Sequence, residues 1–214
     1  MSLLKNKIAS LHYLTQDIPH ISHAEQVRRA CAGGVNWVQL RVKEKGYKDW
    51  LDIATAVQEV CKKNNAMHII NDNAVLAKEI GADGVHLGKE DISPKEARIL
   101  LGPNAIIGGT ANSLEDVTFL LTQPVDYIGL GRFRFTHTKK KLAPVLGLDG
   151  IQHVVQHLHI SGKRKIPVIA IGGIQSEDVQ SLMQTGIHGI AVSSAINLSE
   201  NPAVLAKSFM QLLS

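Results

Sequence analysis

Eight short β-rich runs, each followed by a stretch of helical periodicity, constrain this chain more than any other feature. The runs occupy residues 12–15, 35–41, 67–72, 84–87, 105–108, 127–131, 167–172 and 189–193. Between them apolar residues recur at i, i+3 and i+4, as in Ile53, Ala54, Val57, Val60 and Cys61, and again in Ile151, Val154, Val155 and Leu158. That is the spacing of an amphipathic helix. Strands joined through helices pair in parallel by right-handed crossovers. Eight such units in 214 residues predict an α/β fold, a closed (β/α)8 TIM barrel forming one domain over residues 1–214. An open doubly wound sheet fits less well. No G-x-G-x-x-G follows the first run, and the polar residues fall at the ends of many runs instead of at one switch point. Ser22 with Glu25 and Ser93 with Glu96 have the spacing of capping boxes, and Pro94 suits a first helical position.

Composition narrows the function classes. With 44% hydrophobic and 20% charged residues the chain can bury one sizeable core. Its longest apolar runs are too short to cross a bilayer and the N-terminus has no signal-peptide h-region, so a cytoplasmic protein without a membrane partner is expected. Cys31 and Cys61 lie among apolar residues at helical spacing and are expected to be core thiols. The net charge of +4 would suit a polyanion, but aromatic residues are only 4% and no stacking platform is visible. No nucleic-acid partner is expected; a small phosphorylated ligand fits better, and a homo-oligomer is compatible with the sequence.

In such barrels the active site lies at the C-terminal ends of the strands, often with a phosphate site after strands seven and eight. Here those strands end in Gly172-Gly173 and Ser193-Ser194, residues that offer backbone N–H groups and hydroxyls. The second run ends in Gln39, Arg41 and Lys43, placed by alternation on one side of the chain. The third ends in Asn71-Asp72, and the loop after the fourth carries Asp91. Adjacent barrel strands lie about 5 Å apart, so Asp72 and Asp91 can converge on one cation. Mg2+ suits two carboxylates completed by phosphate oxygens and waters. The plainer alternative makes Asp72 a helix cap and Asp91 a turn residue.

The basic stretch GRFRFTHTKKK, residues 131–141, leaves the sixth run at the same end. Lys139 is placed to clamp a diphosphate and Thr136 and Thr138 to hydrogen-bond a ligand, whereas Arg132, Arg134, Lys140 and Lys141 read as solvated surface charges. His86 alternates onto the site side of its run, with a structural role favoured. His68 and His188 read as packing or strand-edge residues. His153 and His157 have a metal-capable spacing but no third ligand, and are expected in solvent.

Several motifs together, Gln39-Leu-Arg-Val-Lys43, Ile70-Asn-Asp72, Gly81-Ala-Asp-Gly-Val-His-Leu-Gly-Lys-Glu-Asp91, Thr136-His137-Thr138-Lys139, Gly147-Leu-Asp-Gly and Ala170-Ile-Gly-Gly-Ile, resemble the ordered series of the thiamine phosphate synthase family. The resemblance spans residues 13–196. It implies a Mg2+-dependent transferase of thiamine biosynthesis that joins a hydroxymethylpyrimidine diphosphate to a thiazole phosphate, releasing diphosphate. By position it implies that Gln39, Arg41, Lys43, Asn71, Thr110 and Lys139 hold the pyrimidine diphosphate and that Asp72 and Asp91 bind the metal. Thr136, Thr138, Gly173, Ser193 and Ser194 would hold the thiazole phosphate, with His137 inside the same motif. In the family the diphosphate is thought to leave first, giving a pyrimidine-methyl cation that the thiazole nitrogen captures.

The chain also departs from the family. Thr110-Ala111-Asn112 stands where Ser-Thr-His is usual, Arg132 and Phe135 replace prolines, and Lys89 replaces a common Gln. The alternatives are a thiazole tautomerase-like relative, sharing the fold and thiazole phosphate site, and a catalytically idle ligand-binding barrel.

Overall fold

The computed structural model describes residues 8–43, 45–135, 145–160 and 165–214. Eight strands, β1 (Leu11–Leu14), β2 (Trp37–Leu40), β3 (Met67–Asn71), β4 (Gly84–Leu87), β5 (Ile106–Ala111), β6 (Tyr127–Gly131), β7 (Val168–Ile171) and β8 (Gly189–Val192), pair in chain order, all parallel, and β8 closes on β1. Each expected run yields one strand. The helices are α1 (His23–Ala32), α2 (Tyr47–Lys63), α3 (Ala74–Ile80), α4 (Pro94–Leu101), α5 (Leu114–Leu121), α6 (Gly147–Ile160), α7 (Val179–Gln184), the short α8 (Ser194–Asn197) and α9 (Pro202–Leu212). Open-sheet topology is thereby excluded.

The two-residue period of the strands builds two separate cores. One parity, including Val38, Ile70, Val85, Ile107, Ile128 and Ile190, packs outward against helix residues such as Val27, Val57 and Val154. The other parity, Leu14, Trp37, Ile69, Ile106, Tyr127 and Ile169, fills the barrel interior. Removing each such side chain from water contributes about 1.5–3 kcal/mol. Inside the barrel the His12 ring stacks on Trp37 at 4.2 Å, and Tyr127 meets His12 edge-on at 4.9 Å.

Two glycines make room for the layer above. A Cβ on Gly108 would lie 2.2 Å from Tyr127 Cζ and 2.4 Å from His86 Nδ1, and one on Gly129 would lie 2.9 Å from His86 Cε1. The strands carry glycine there because the His86 and Tyr127 rings occupy the space of a side chain.

Cap chemistry fixes the helix starts. Ser93 and Glu96 form the full capping box, with Pro94 opening α4. Ser22 accepts from the Glu25 N–H, but the Glu25 carboxylate turns to Arg28 and Arg29, so that cap is only half a box. Cys31 and Cys61 are free thiols, and burial raises the pKa of both. His68 is buried against Gln58 of α2, and His188 Nε2 donates to the Ile8 carbonyl at 2.8 Å, both packing roles. His153 and His157 are exposed on α6.

Candidate active site

A cavity of about 510 Å³ opens at the C-terminal ends of the strands. On one side it is lined by Gln39, Arg41, Asn71, Asp72 and Asp91, on the other by Gly173, Ser193 and Ser194, with Thr110 between them. Residues up to 155 positions apart in sequence are thus gathered at one mouth. Lys43 is not among the described residues that line the cavity; its backbone N–H donates to Asp17 Oδ2 at 3.0 Å. Thr136, His137, Thr138 and Lys139 lie outside the described residues, as do Lys140 and Lys141.

The side of β2 and β3 is held by direct contacts. Gln39 Nε2 donates to Asn71 Oδ1 at 2.6 Å. Thr15 Oγ1 accepts the Arg41 N–H at 3.1 Å and lies 2.8 Å from His23 Nδ1, while His23 Nε2 pairs with Asp17 at 3.2 Å. This network orients the loop that carries Arg41. Burial lowers the Arg41 pKa, and Asp72 and Asp17 pull it back up, so the guanidinium stays cationic beside those carboxylates.

Asp72 is not the helix cap of the plainer reading. Asn73 caps α3, accepting from the Leu76 N–H, and Asp72 sits at φ 68°, a left-handed conformation that Asp tolerates better than most residues. Asp91 does act in its turn, accepting the Gly88 N–H at 2.6 Å, while still lining the cavity. A Cβ on Gly88 would lie 3.2 Å from Asp91 Oδ2 and 3.9 Å from Asp72 Oδ1, which places both carboxylates beside the same glycine. Among the described residues no group of three or more His, Cys, Asp or Glu forms a complete ligand set. The pair supplies hard oxygen donors and leaves the remaining positions to phosphate oxygens and water, a donor set that fits Mg2+.

At the opposite side Gly172 and Gly173 turn the chain with φ of 113° and 70°, which a residue with a Cβ rarely adopts. Ser193 precedes the four-residue α8; its hydroxyl donates to Gln16 Oε1 at 3.2 Å and accepts from Asn197 Nδ2 at 3.3 Å. Ser194 lines the cavity beside it.

Three further residues stand at the mouth: His86, for which the sequence favoured a structural role on the site side of its strand, and Lys89 and Asn112, which it marked only as departures from the family. His86 forms part of the cavity floor: Nδ1 lies 3.0 Å from Tyr127 Oη and Nε2 lies 2.9 Å from Thr110 Oγ1. Lys89 and Asn112 line the cavity too. Lys89 pairs with Asp116 at 2.5 Å. Although burial opposes it, Lys89 and the Asn112 N–H hold the Asp116 carboxyl below its ordinary pKa. Asn112 Nδ2 donates to the Gly131 carbonyl, tying β5 to the end of β6.

The two arginines of the basic stretch depart from the expectation to different degrees: Arg134 is exposed but paired, and Arg132 is half-buried. Arg134 makes a two-pronged pair with Asp178, itself buried, at 2.5 Å on each side. Arg132 lines the cavity. Polarity alone gives no sign of these contacts, which arise only when β6 closes against β7.

Residues 12–196 match the family model described as thiamine monophosphate synthase. A thiamine-phosphate synthase of Flavobacterium psychrophilum is 47% identical over 192 residues, covering 90% of this chain and 93% of the relative. One from Bacteroides fragilis is 43% identical over 203 residues, covering 95% and 99%. Among solved structures, thiamine phosphate pyrophosphorylase from Pyrococcus furiosus superposes with a TM-score of 0.85 at 31% identity, covering 98% of this chain and 97% of the other.

Proposed function

The chain belongs to the thiamine monophosphate synthase family, and from that premise we propose that it joins a hydroxymethylpyrimidine diphosphate to a thiazole phosphate with loss of diphosphate. As a family member it is a transferase of thiamine biosynthesis. The observation that carries the assignment of subsites is the sharing of one cavity by Arg41, Asp72 and Asp91 on one side and Gly173, Ser193 and Ser194 on the other. Two phosphorylated substrates need two anion-binding faces across one reaction space, and that division supplies them.

In this reading Gln39 and Asn71, which already hydrogen-bond one another, position the pyrimidine side. Arg41 takes the diphosphate, its charge held by neighbouring carboxylates until the ligand's oxygens replace part of that field. Asp72 and Asp91 would hold Mg2+, which supplies charge neutralisation for the departing diphosphate. Thr110, seated on His86, contributes a hydroxyl to the pyrimidine side. Gly173, Ser193 and Ser194 receive the thiazole phosphate. Lys43 is assigned to the diphosphate by its motif, although it is not among the described lining residues; Lys139, Thr136, His137 and Thr138 are assigned in the same way. The chemistry requires no nucleophilic triad. It requires that charge be stabilised on the leaving group and that two substrates be held in line.

Diphosphate release, measured by a coupled assay with both substrates and Mg2+, tests the proposal directly. Release that needs both substrates is the expected result. Tight binding of both without release would leave an idle binding barrel and refute the proposal.

A further inference from the structure

Among the described residues no acidic side chain pairs with the Arg132 guanidinium. Its Nε and Nη1 are buried and have no hydrogen-bond partner, although the residue lines the cavity. Its neighbour Arg134 shows what this segment does with an arginine it needs structurally: both prongs close on Asp178. That carboxylate is therefore taken, and none is paired with Arg132 among the described salt bridges.

The position of Arg132 is fixed from several directions. Its carbonyl accepts the Leu146 N–H at 2.9 Å. The next two residues bond to β7 and the turn after it, Phe133 N–H to the Ile171 carbonyl and Arg134 N–H to the Gly172 carbonyl, each at 2.8 Å. Gly172 lies so close that a Cβ there would sit 2.7 Å from Arg132 Cβ. The Phe135 ring covers the guanidinium, 5.0 Å from Cζ to the ring centroid. The result is a cation held beside the Gly172-Gly173 turn, in the cavity that Ser193 and Ser194 also line.

A buried guanidinium N–H without an acceptor is unfavourable, and a planar fork is best satisfied by two oxygens of a carboxylate or phosphate. A phosphomonoester dianion matches the fork in charge and geometry, and the glycine turn and serines beside it add neutral donors for its remaining oxygens. We infer that Arg132 is a substrate-binding residue of the phosphomonoester subsite, gripping the phosphate of the acceptor substrate opposite the diphosphate. This rests on the proposed function for the identity of the acceptor, whereas the anion preference rests on Arg132 itself.

The test is calorimetric titration of the full chain and its Arg132→Gln and Arg132→Lys variants with thiazole phosphate, inorganic phosphate and the pyrimidine diphosphate. Arg132→Gln is expected to weaken thiazole phosphate and inorganic phosphate about 10–100-fold, the worth of losing hydrogen bonds to a charged group. Pyrimidine diphosphate binding should stay within about twofold, as expected for groups that share no contact. Arg132→Lys should restore part of the loss, because it keeps the charge without the fork. Since Nε and Nη1 have no hydrogen-bond partner to lose and only the contact with the Phe135 ring goes, the melting midpoint should stay within about 4 °C of wild type. Unchanged phosphate affinity in Arg132→Gln, or a loss confined to the diphosphate, overturns the inference. Should wild type bind inorganic phosphate through Arg132 yet ignore thiazole phosphate, the anion site stands and the proposed acceptor falls.

Discussion

Tyr127→Phe removes one oxygen and no ring volume, so its effect isolates a single hydrogen bond. Tyr127 is 1% exposed, and burial raises its pKa well above the ordinary phenol value, so the hydroxyl keeps its proton. Its partner is His86 Nδ1 at 3.0 Å. Taking the phenol as donor to Nδ1 puts the neutral ring's hydrogen on Nε2 and makes that nitrogen the donor to Thr110 Oγ1 at 2.9 Å. Thr110, having accepted, is free to aim its own hydroxyl hydrogen at a ligand. Loss of the phenol leaves Nδ1 buried without a donor, a cost of about 1–3 kcal/mol. For a protein of this size each kcal/mol lowers the melting midpoint by roughly 2–4 °C, so a fall of several degrees is expected. Circular dichroism melting measures the stability, and nitrogen chemical shifts of the His86 ring report the tautomer. The variant should lose the uniform Nε2–H tautomer and bind pyrimidine diphosphate more weakly. A midpoint within about 1 °C of wild type, together with an unchanged tautomer, would refute the chain of donation.

Other expectations test the remaining groups. Asp72→Asn and Asp91→Asn should each raise the Mg2+ concentration needed for half-maximal diphosphate release by tenfold or more, roughly the effect of 1.4 kcal/mol in metal binding, while leaving the melting midpoint near wild type; an unchanged Mg2+ requirement in both would remove the metal assignment. Arg41→Gln should weaken pyrimidine diphosphate binding about 10–100-fold in titration and spare thiazole phosphate, because a charge-assisted contact is lost on one face only. Burial pushes the His68 pKa down to about 4 from 6.5, so the native state resists protonation more than the unfolded chain does. The sign follows: this contribution is complete above pH 6.5 and is lost as pH falls toward 4. Urea unfolding at pH 7 and pH 5 should show stability falling in wild type and falling less in His68→Leu.

The barrel was legible because periodicity is a property of every strand and helix, and closure followed from counting eight units. Gln39, Arg41, Asn71 and Asp72 were legible for a related reason: residues at strand ends need only strand direction to be placed, and Asp91 follows in the short turn after β4. Lys43 shows the limit, since alternation stops being a guide once the chain leaves β2 and the Lys43 N–H turns to Asp17. Arg132 and Arg134 could not be told apart from other basic residues of the stretch because sequence carries no information on which carboxylate lies across the mouth. Asp178, 44 residues beyond Arg134, settles that only when β7 packs beside β6.

The positions where the chain departs from its family are physically connected. Lys89 pairs with Asp116, Asp116 accepts the Asn112 N–H at 2.7 Å, and Asn112 reaches the Gly131 carbonyl immediately before Arg132. A histidine returned to position 112 would have to replace an amide that spans β5 to β6, and would meet a loop anchored by Lys89. Asn112 joins the end of β6 to β5, and it is from there that Arg132 reaches the cavity, so the rim that carries these departures also carries the cation whose buried Nε and Nη1 have no hydrogen-bond partner among the described residues.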